Sequence, residues 1–249
     1  MIEDSEGNYV FTGYTYMFTG FDYAFVWKKS PAGVNIGEIH IVTEGANRAR
    51  QNDLVQIGSS YYLAGWSASG SGYANLVKVS TDTSLSSAAF FGWERTYDGP
   101  GSGDSAQAVV ATPEGGLLMA GVTGGGASSP GDVYVVKTNA AGAVLWTRTV
   151  DRSGNDGAMD VCTTADGGYA IAGVTNSVGA GDYDFYLIKI NAAGDILWER
   201  TFGSAAADRA FAIGETADGG FVLAGYTRVN GHEDLYVVRT DSNGNPAGN

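Results

Sequence analysis

The chain has 249 residues, 44% hydrophobic and 12% aromatic, with 16% charged and a formal net charge of −13. This composition excludes a disordered chain, and the acidic balance excludes partners gripped through phosphate, because DNA, RNA and anionic lipid require clustered Lys and Arg. The 38 glycines show no Gly-X-Y period, so they point to many short strands joined by tight turns.

In chain order, the first strong signal is the run from Tyr9 to Thr15, centred on Gly13. It returns as Tyr61 to Ser67 around Gly65, Leu117 to Thr123 around Gly121, Tyr169 to Thr175 around Gly173, and Phe221 to Thr227 around Gly225. The glycines are spaced by 52, 56, 52 and 52 residues. A unit of about 52 residues is therefore repeated five times, with units near 1–47, 48–103, 104–155, 156–207 and 208–249.

Each unit predicts four strands. The first ends in an acidic-Gly-Gly turn at Glu114, Asp166 or Asp218, and the second is the glycine-centred run. The third is seen from Phe185 to Lys189, and the fourth carries Leu-Trp, as in Ile196 to Thr201. No segment shows a convincing helical period. Short antiparallel strands in sets of four predict an all-β fold, a β-propeller of five four-stranded blades in a single domain. The recurrent Tyr134, Tyr186, Tyr236, Trp93, Trp146 and Trp198 are expected to pack blade on blade. Both terminal blades are expected to be incomplete: Met1 to Asp4 offer only a stub of first strand, and no Leu-Trp strand follows Arg239. That pattern favours a piece of a longer array over a closed five-bladed ring, with open blade edges available for self-association.

The stretch from Asp184 through Trp198, then Phe202-Gly203-Ser204 and Asp208, then Ala217 to Thr227, resembles the β-propeller repeat of bacterial and archaeal surface proteins known as the seven-bladed β-propeller repeat. The likeness is clear in the last three units and fainter in the first two. It implies a secreted or cell-surface propeller without a catalytic signature of its own.

Cys162 is the sole cysteine, so no internal disulfide forms, and its apolar surroundings mark it as a small core residue. Asp104, Asp156 and Asp208 open the first strands of three units, while Asp132, Asp184 and Asp234 open the third strands on the same face. A ring of such carboxylates could bind Ca²⁺; the plainer role is capping loop N–H groups. Asp241 to Asn245 aligns with the turns at Asn139 and Asn191 and is read as a turn, not a calcium loop. The first two units depart most from the repeat, and their aromatics Tyr16, Phe18, Phe21, Tyr23, Trp66 and Tyr73 are the candidate ligand-binding residues. His40 and His232 lack metal-ligand spacing, and there is no nucleophile elbow or phosphate loop. No organic cofactor is expected.

These features predict a non-catalytic extracellular or cell-surface module that binds a protein or glycan or builds a surface layer, with no nucleic-acid partner and no membrane insertion. The alternative is a carboxylate-dependent carbohydrate-active enzyme. Its signature would be a close pair of non-repeated acids in a cleft, with a raised pKa.

Overall fold

Alternating β-branched and aromatic residues between glycine-rich turns give strands throughout, and no helix occurs among the described residues. The computed structural model describes residues 1–16, 22–41, 49–67, 72–82, 91–124 and 131–247. Blade 1 consists of β1 (Ile2–Glu3), β2 (Tyr9–Tyr16), β3 (Asp22–Lys29) and β4 (Asn35–Ile41). Blade 2 consists of β5 (Ala49–Ile57), β6 (Ser60–Ser67), β7 (Tyr73–Ser80) and β8 (Phe91–Tyr97). Blade 3 follows with β9 (Ser105–Ala111), β10 (Leu117–Thr123), β11 (Asp132–Thr138) and β12 (Val144–Val150). Blade 4 holds β13 (Asp156–Thr163), β14 (Tyr169–Thr175), β15 (Asp184–Ile190) and β16 (Ile196–Phe202). Blade 5 stops at three strands, β17 (Asp208–Glu215), β18 (Phe221–Val229) and β19 (His232–Arg239).

Each sheet is antiparallel with strands in chain order. The first strands touch one another from blade to blade, β5 with β9, β9 with β13 and β13 with β17, and so line the axis. The expected five-bladed propeller with incomplete terminal blades is what forms. One boundary differs. β18 and β19 meet through Asn230 and Gly231, whose φ values of 52° and 83° make a two-residue hairpin. The third strand of blade 5 therefore begins at His232, ahead of the run from Leu235 that the sequence suggested.

The repeat glycine has a steric cause. β13 bulges between Ala158 and Asp160, and a Cβ on Gly173 would overlap the carbonyl oxygen of Gly157. Gly65, Gly121 and Gly225 meet the same obstacle in their own blades. The glycine that ends the third-to-fourth turn works between blades. Gly194 has φ +85°, and a Cβ there would stand 2.9 Å from the Trp146 ring of the preceding blade. Trp93 against Gly142 and Trp198 against Gly244 repeat that contact, which accounts for the recurrent tryptophans.

The acidic residue of the Gly-Gly turn pairs with a buried lysine from the third strand of its own blade. Asp166 lies 2.9 Å from Lys189, and Glu114 lies 3.4 Å from Lys137. Blade 1 adds Asp4, which is 2.9 Å from Lys28 and accepts from the Tyr61 hydroxyl of blade 2 at 2.9 Å. Burial alone would raise the Asp4 carboxyl. Lys28, the N–H groups of Asn8 and Glu6, and Tyr61 together hold it at about 2. A carboxyl depressed in the folded state stabilises above its ordinary value of 3.8, and that contribution disappears as pH falls through 2. Asp4→Ala should therefore cost about 3 kcal/mol at pH 7, because it leaves the buried Lys28 with only the exposed Glu6 carboxylate, at 2.8 Å, and strands the Tyr61 hydroxyl. In urea titrations the gap from wild type should narrow below about pH 3 as the wild-type carboxyl itself protonates; a gap independent of pH would refute this role.

Candidate active site

β5 and β13 belong to blades that do not adjoin, and each carries an acid at its fifth position, Asp53 and Asp160. Both strands bulge one residue earlier, at Asn52 and Met159, which turns the acid toward the next blade. Asp53 Oδ2 accepts the Val109 N–H of β9 at 2.9 Å, and Asp160 Oδ2 accepts the Ile213 N–H of β17 at 2.8 Å. Asp160 Oδ1 also accepts the N–H of Val161 at 2.8 Å. Both acids are half-buried.

Burial pushes the Asp53 carboxyl above its ordinary value, against the N–H groups of Val109 and Leu54 and the nearby α-amino group. Burial also pushes Asp160 up, against the N–H groups of Ile213 and Val161, and the charge of Asp53 adds to the rise. Because blades 2 and 4 are not neighbours, that charge acts across the axis. In blades 3 and 5 the corresponding positions are Ala108 and Ala212, so the acids do not follow the repeat.

Around the rim above Asp53, the Arg50 guanidinium lies 4.3 Å from the Tyr14 ring centroid and 5.9 Å from that of Trp66. Tyr14 is 48% exposed, and Trp66 and Tyr73 are partly exposed. Across the ring, Arg209 lies over Tyr183 at 4.6 Å, and Phe211 packs against Tyr226. Of the aromatics singled out from sequence, Tyr16 and Tyr23 fall on β2 and β3, next to each other in register through the pairs Thr15–Tyr23 and Tyr16–Asp22. Phe18 and Phe21 lie outside the described residues. Trp66 and Tyr73 occupy the facing ends of β6 and β7.

Asp104, Asp156 and Asp208 stand at the head of the first strands and are buried, each with its backbone N–H bonded to the preceding blade. Their Oδ2 atoms accept from Gly99 N–H, the Ser177 hydroxyl and Ser204 N–H respectively. Among the described residues, no group of three or more His, Cys, Asp or Glu side chains is arranged to hold a metal. His232 opens β19, and Glu233 beside it pairs with Arg228 at 2.9 Å. Cys162 packs on the core of blades 4 and 5, where burial pushes its thiol up to about 11. The Asp241 carboxylate bonds the N–H groups of Asn243 and Asn245, as a turn does. A groove of about 560 Å³ lined by Ile2, Glu3, Ser5, Val55, Gln56 and Gly58 lies at the seam of blades 1 and 2, beside the first-to-second strand turns and away from the rim.

Sequence reasoning missed Asp53 and Asp160. The signal available was an acid where two sister strands have alanine.

No family model matches the chain, and no curated protein matches it. Solved structures do. A GH43 endo-arabinanase from Bacillus licheniformis superposes with a TM-score of 0.51 at 15% identity, covering 99% of this chain and 95% of that one. A GH43 α-L-arabinofuranosidase from Clostridium thermocellum gives 0.47 at 11% identity, covering 95% and 92%. A GH32 β-fructofuranosidase from Bombyx mori gives 0.45 at 12%, covering 94% and 57%. At such identities the likeness establishes the architecture. It also corrects the expectation of a non-catalytic, non-enzymatic module: the five-bladed frame is shared along nearly its whole length by a glycosidase, and two non-repeated acids with raised carboxyls stand on its inner strands. The chain is a five-bladed β-propeller similar in fold to a GH43 endo-arabinanase.

Proposed function

We propose that this chain is a carbohydrate-active hydrolase, with Asp160 as general acid and Asp53 as its ionised partner. The observation that carries the reading is the axial acid pair, half-buried, drawn from non-adjacent blades and absent from the sister positions. Two carboxyls in one field separate into a proton holder and a charge holder. Asp160, raised further by its partner's charge, keeps the proton and delivers it to the leaving glycosidic oxygen. Asp53 stays ionised and faces the developing oxocarbenium centre, completing the two-carboxylate arrangement of glycoside hydrolysis.

The rim aromatics Trp66 and Tyr14 give a sugar ring a flat apolar surface close to Asp53. The substrate class follows the fold likeness: a furanosyl polymer such as arabinan. An acidic protein whose repeats resemble those of surface propellers suits work outside the cell, and no helix among the described residues is long and apolar enough to cross a membrane. The test is release of reducing ends from arabinan and of nitrophenol from nitrophenyl arabinofuranoside by the purified chain. Turnover on either supports the reading. No turnover on either, with the protein folded, overturns it.

A further inference from the structure

β19 is the last strand of a three-stranded blade, and among the described residues no strand lies along its outer edge. Its main-chain groups alternate. Thr240 N–H bonds the Phe221 carbonyl, and the register continues with Val238 opposite Leu223 and Tyr236 opposite Gly225. The even residues therefore turn N–H and C=O inward to β18, and Glu233, Leu235, Val237 and Arg239 turn theirs outward. At the end of that edge the Arg239 carbonyl accepts Ala247 N–H at 2.9 Å.

The same four residues share one face of the strand. Leu235 is 81% exposed and Val237 52%, although their counterparts on β15, Phe185 and Leu187, are fully buried in the core between blades 4 and 5. Glu233 and Arg239 flank them in surface ion pairs with Arg228 and Asp218. An open edge carrying bare apolar side chains is a template for another strand. The edge is also its own complement. An antiparallel partner sets outward residues opposite outward residues, which allows a two-fold axis at Leu235, Tyr236 or Val237. At Leu235 the axis would put Glu233 opposite Val237, and at Val237 it would put Leu235 opposite Arg239. At Tyr236 it matches every pair on the face, Leu235 with Val237 and Glu233 with Arg239.

We propose that β19 pairs with β19 of a second copy about a two-fold axis at Tyr236, joining two blades 5 into one continuous sheet. Leu235 and Val237 carry the main-chain bonds of this ladder, clear of the Arg239 carbonyl that Ala247 occupies, and each covers the other's partner across the axis. Glu233 and Arg239 close both ends as side-chain pairs. The contact is isologous, so it is complete at two copies. It does not depend on the hydrolase reading, because Asp53 and Asp160 stand on blades 2 and 4.

The experiment is sedimentation velocity of the full chain from about 1 to 100 μM, the range over which a small interface passes from monomer to dimer. Val237→Pro removes one outward N–H and leaves the bonds to β18 in place, so the Tm should hold while the dimer is lost. Glu233→Arg and Arg239→Glu, made singly, oppose like charges twice per dimer and should each weaken association about tenfold; made together they should restore it. Hydrogen exchange on the unaltered chain tests the same pairing even if a variant folds poorly. The Leu235 and Val237 amides should exchange slowly at the highest concentration and fast on dilution. A chain that stays monomeric, species that grow beyond the dimer, a dimer indifferent to Val237→Pro or to the single charge reversals, or amide exchange independent of concentration would each overturn the proposal.

Discussion

Asp160→Asn is expected to lower kcat on an arabinan substrate by about 10²–10⁴-fold, the usual contribution of a positioned general acid. The amide keeps the shape of the side chain and an acceptor for one backbone N–H, but it has no proton to give. Thermal unfolding should therefore change far less than turnover. The pH profile is a second constraint. Both carboxyls are raised above the ordinary aspartate value, so activity should fall on the acid side as Asp53 protonates and on the alkaline side as Asp160 ionises. Asp160→Asn should remove the alkaline limb along with the rate. If Asp53 and Asp160 served only to bond Val109 and Ile213, the variants would shift Tm and leave both limbs in place, and the assignment would fail.

Gly173→Ala is expected to destabilise the chain by about 3 kcal/mol, because its methyl meets backbone and not a side chain that can swing away. For a chain of this size that corresponds to a Tm lower by roughly 6–12 °C. The control is Gly13→Ala. In blade 1 the first strand is only Ile2–Glu3 and never reaches the glycine, and the nearest atom to an added Cβ is the tip of the Phe25 ring at 3.0 Å. A ring can tilt, so Gly13→Ala should cost less than half as much. Equal losses in urea unfolding would refute the bulge as the reason for the repeated glycine.

The fold was legible because its constraints recur. Gly173 and its counterparts must lie beneath a bulge, Trp146 must find Gly194, and Asp166 must find Lys189, so each leaves a mark every 52 residues. The candidate site was illegible for the same reason. What stands out in the sequence is residues that repeat, such as Asp104, Asp156 and Asp208, and runs of unusual composition, such as Tyr14 to Tyr23. Asp53 and Asp160 break the pattern inside strands, where a polar residue reads as solvent-facing until the blades stack and place it on an inner strand. The influence of Asp53 on Asp160 crosses 107 residues of chain, and no local spacing announces it.

One set of interlocks between blades runs in the direction of the chain. Trp93, Trp146 and Trp198 each dock on the hairpin of the blade that follows, Tyr97 and Arg148 donate to the carbonyls of Gly142 and Gly194, and Asp53 and Asp160 receive N–H groups from the next inner strand. A blade emerging from the ribosome thus presents an unfilled socket until its successor is made, roughly fifty residues later. Synthesis proceeds in the same direction as the latching, so the nascent chain can close its seams in sequence, each new segment acting as a wedge for the last.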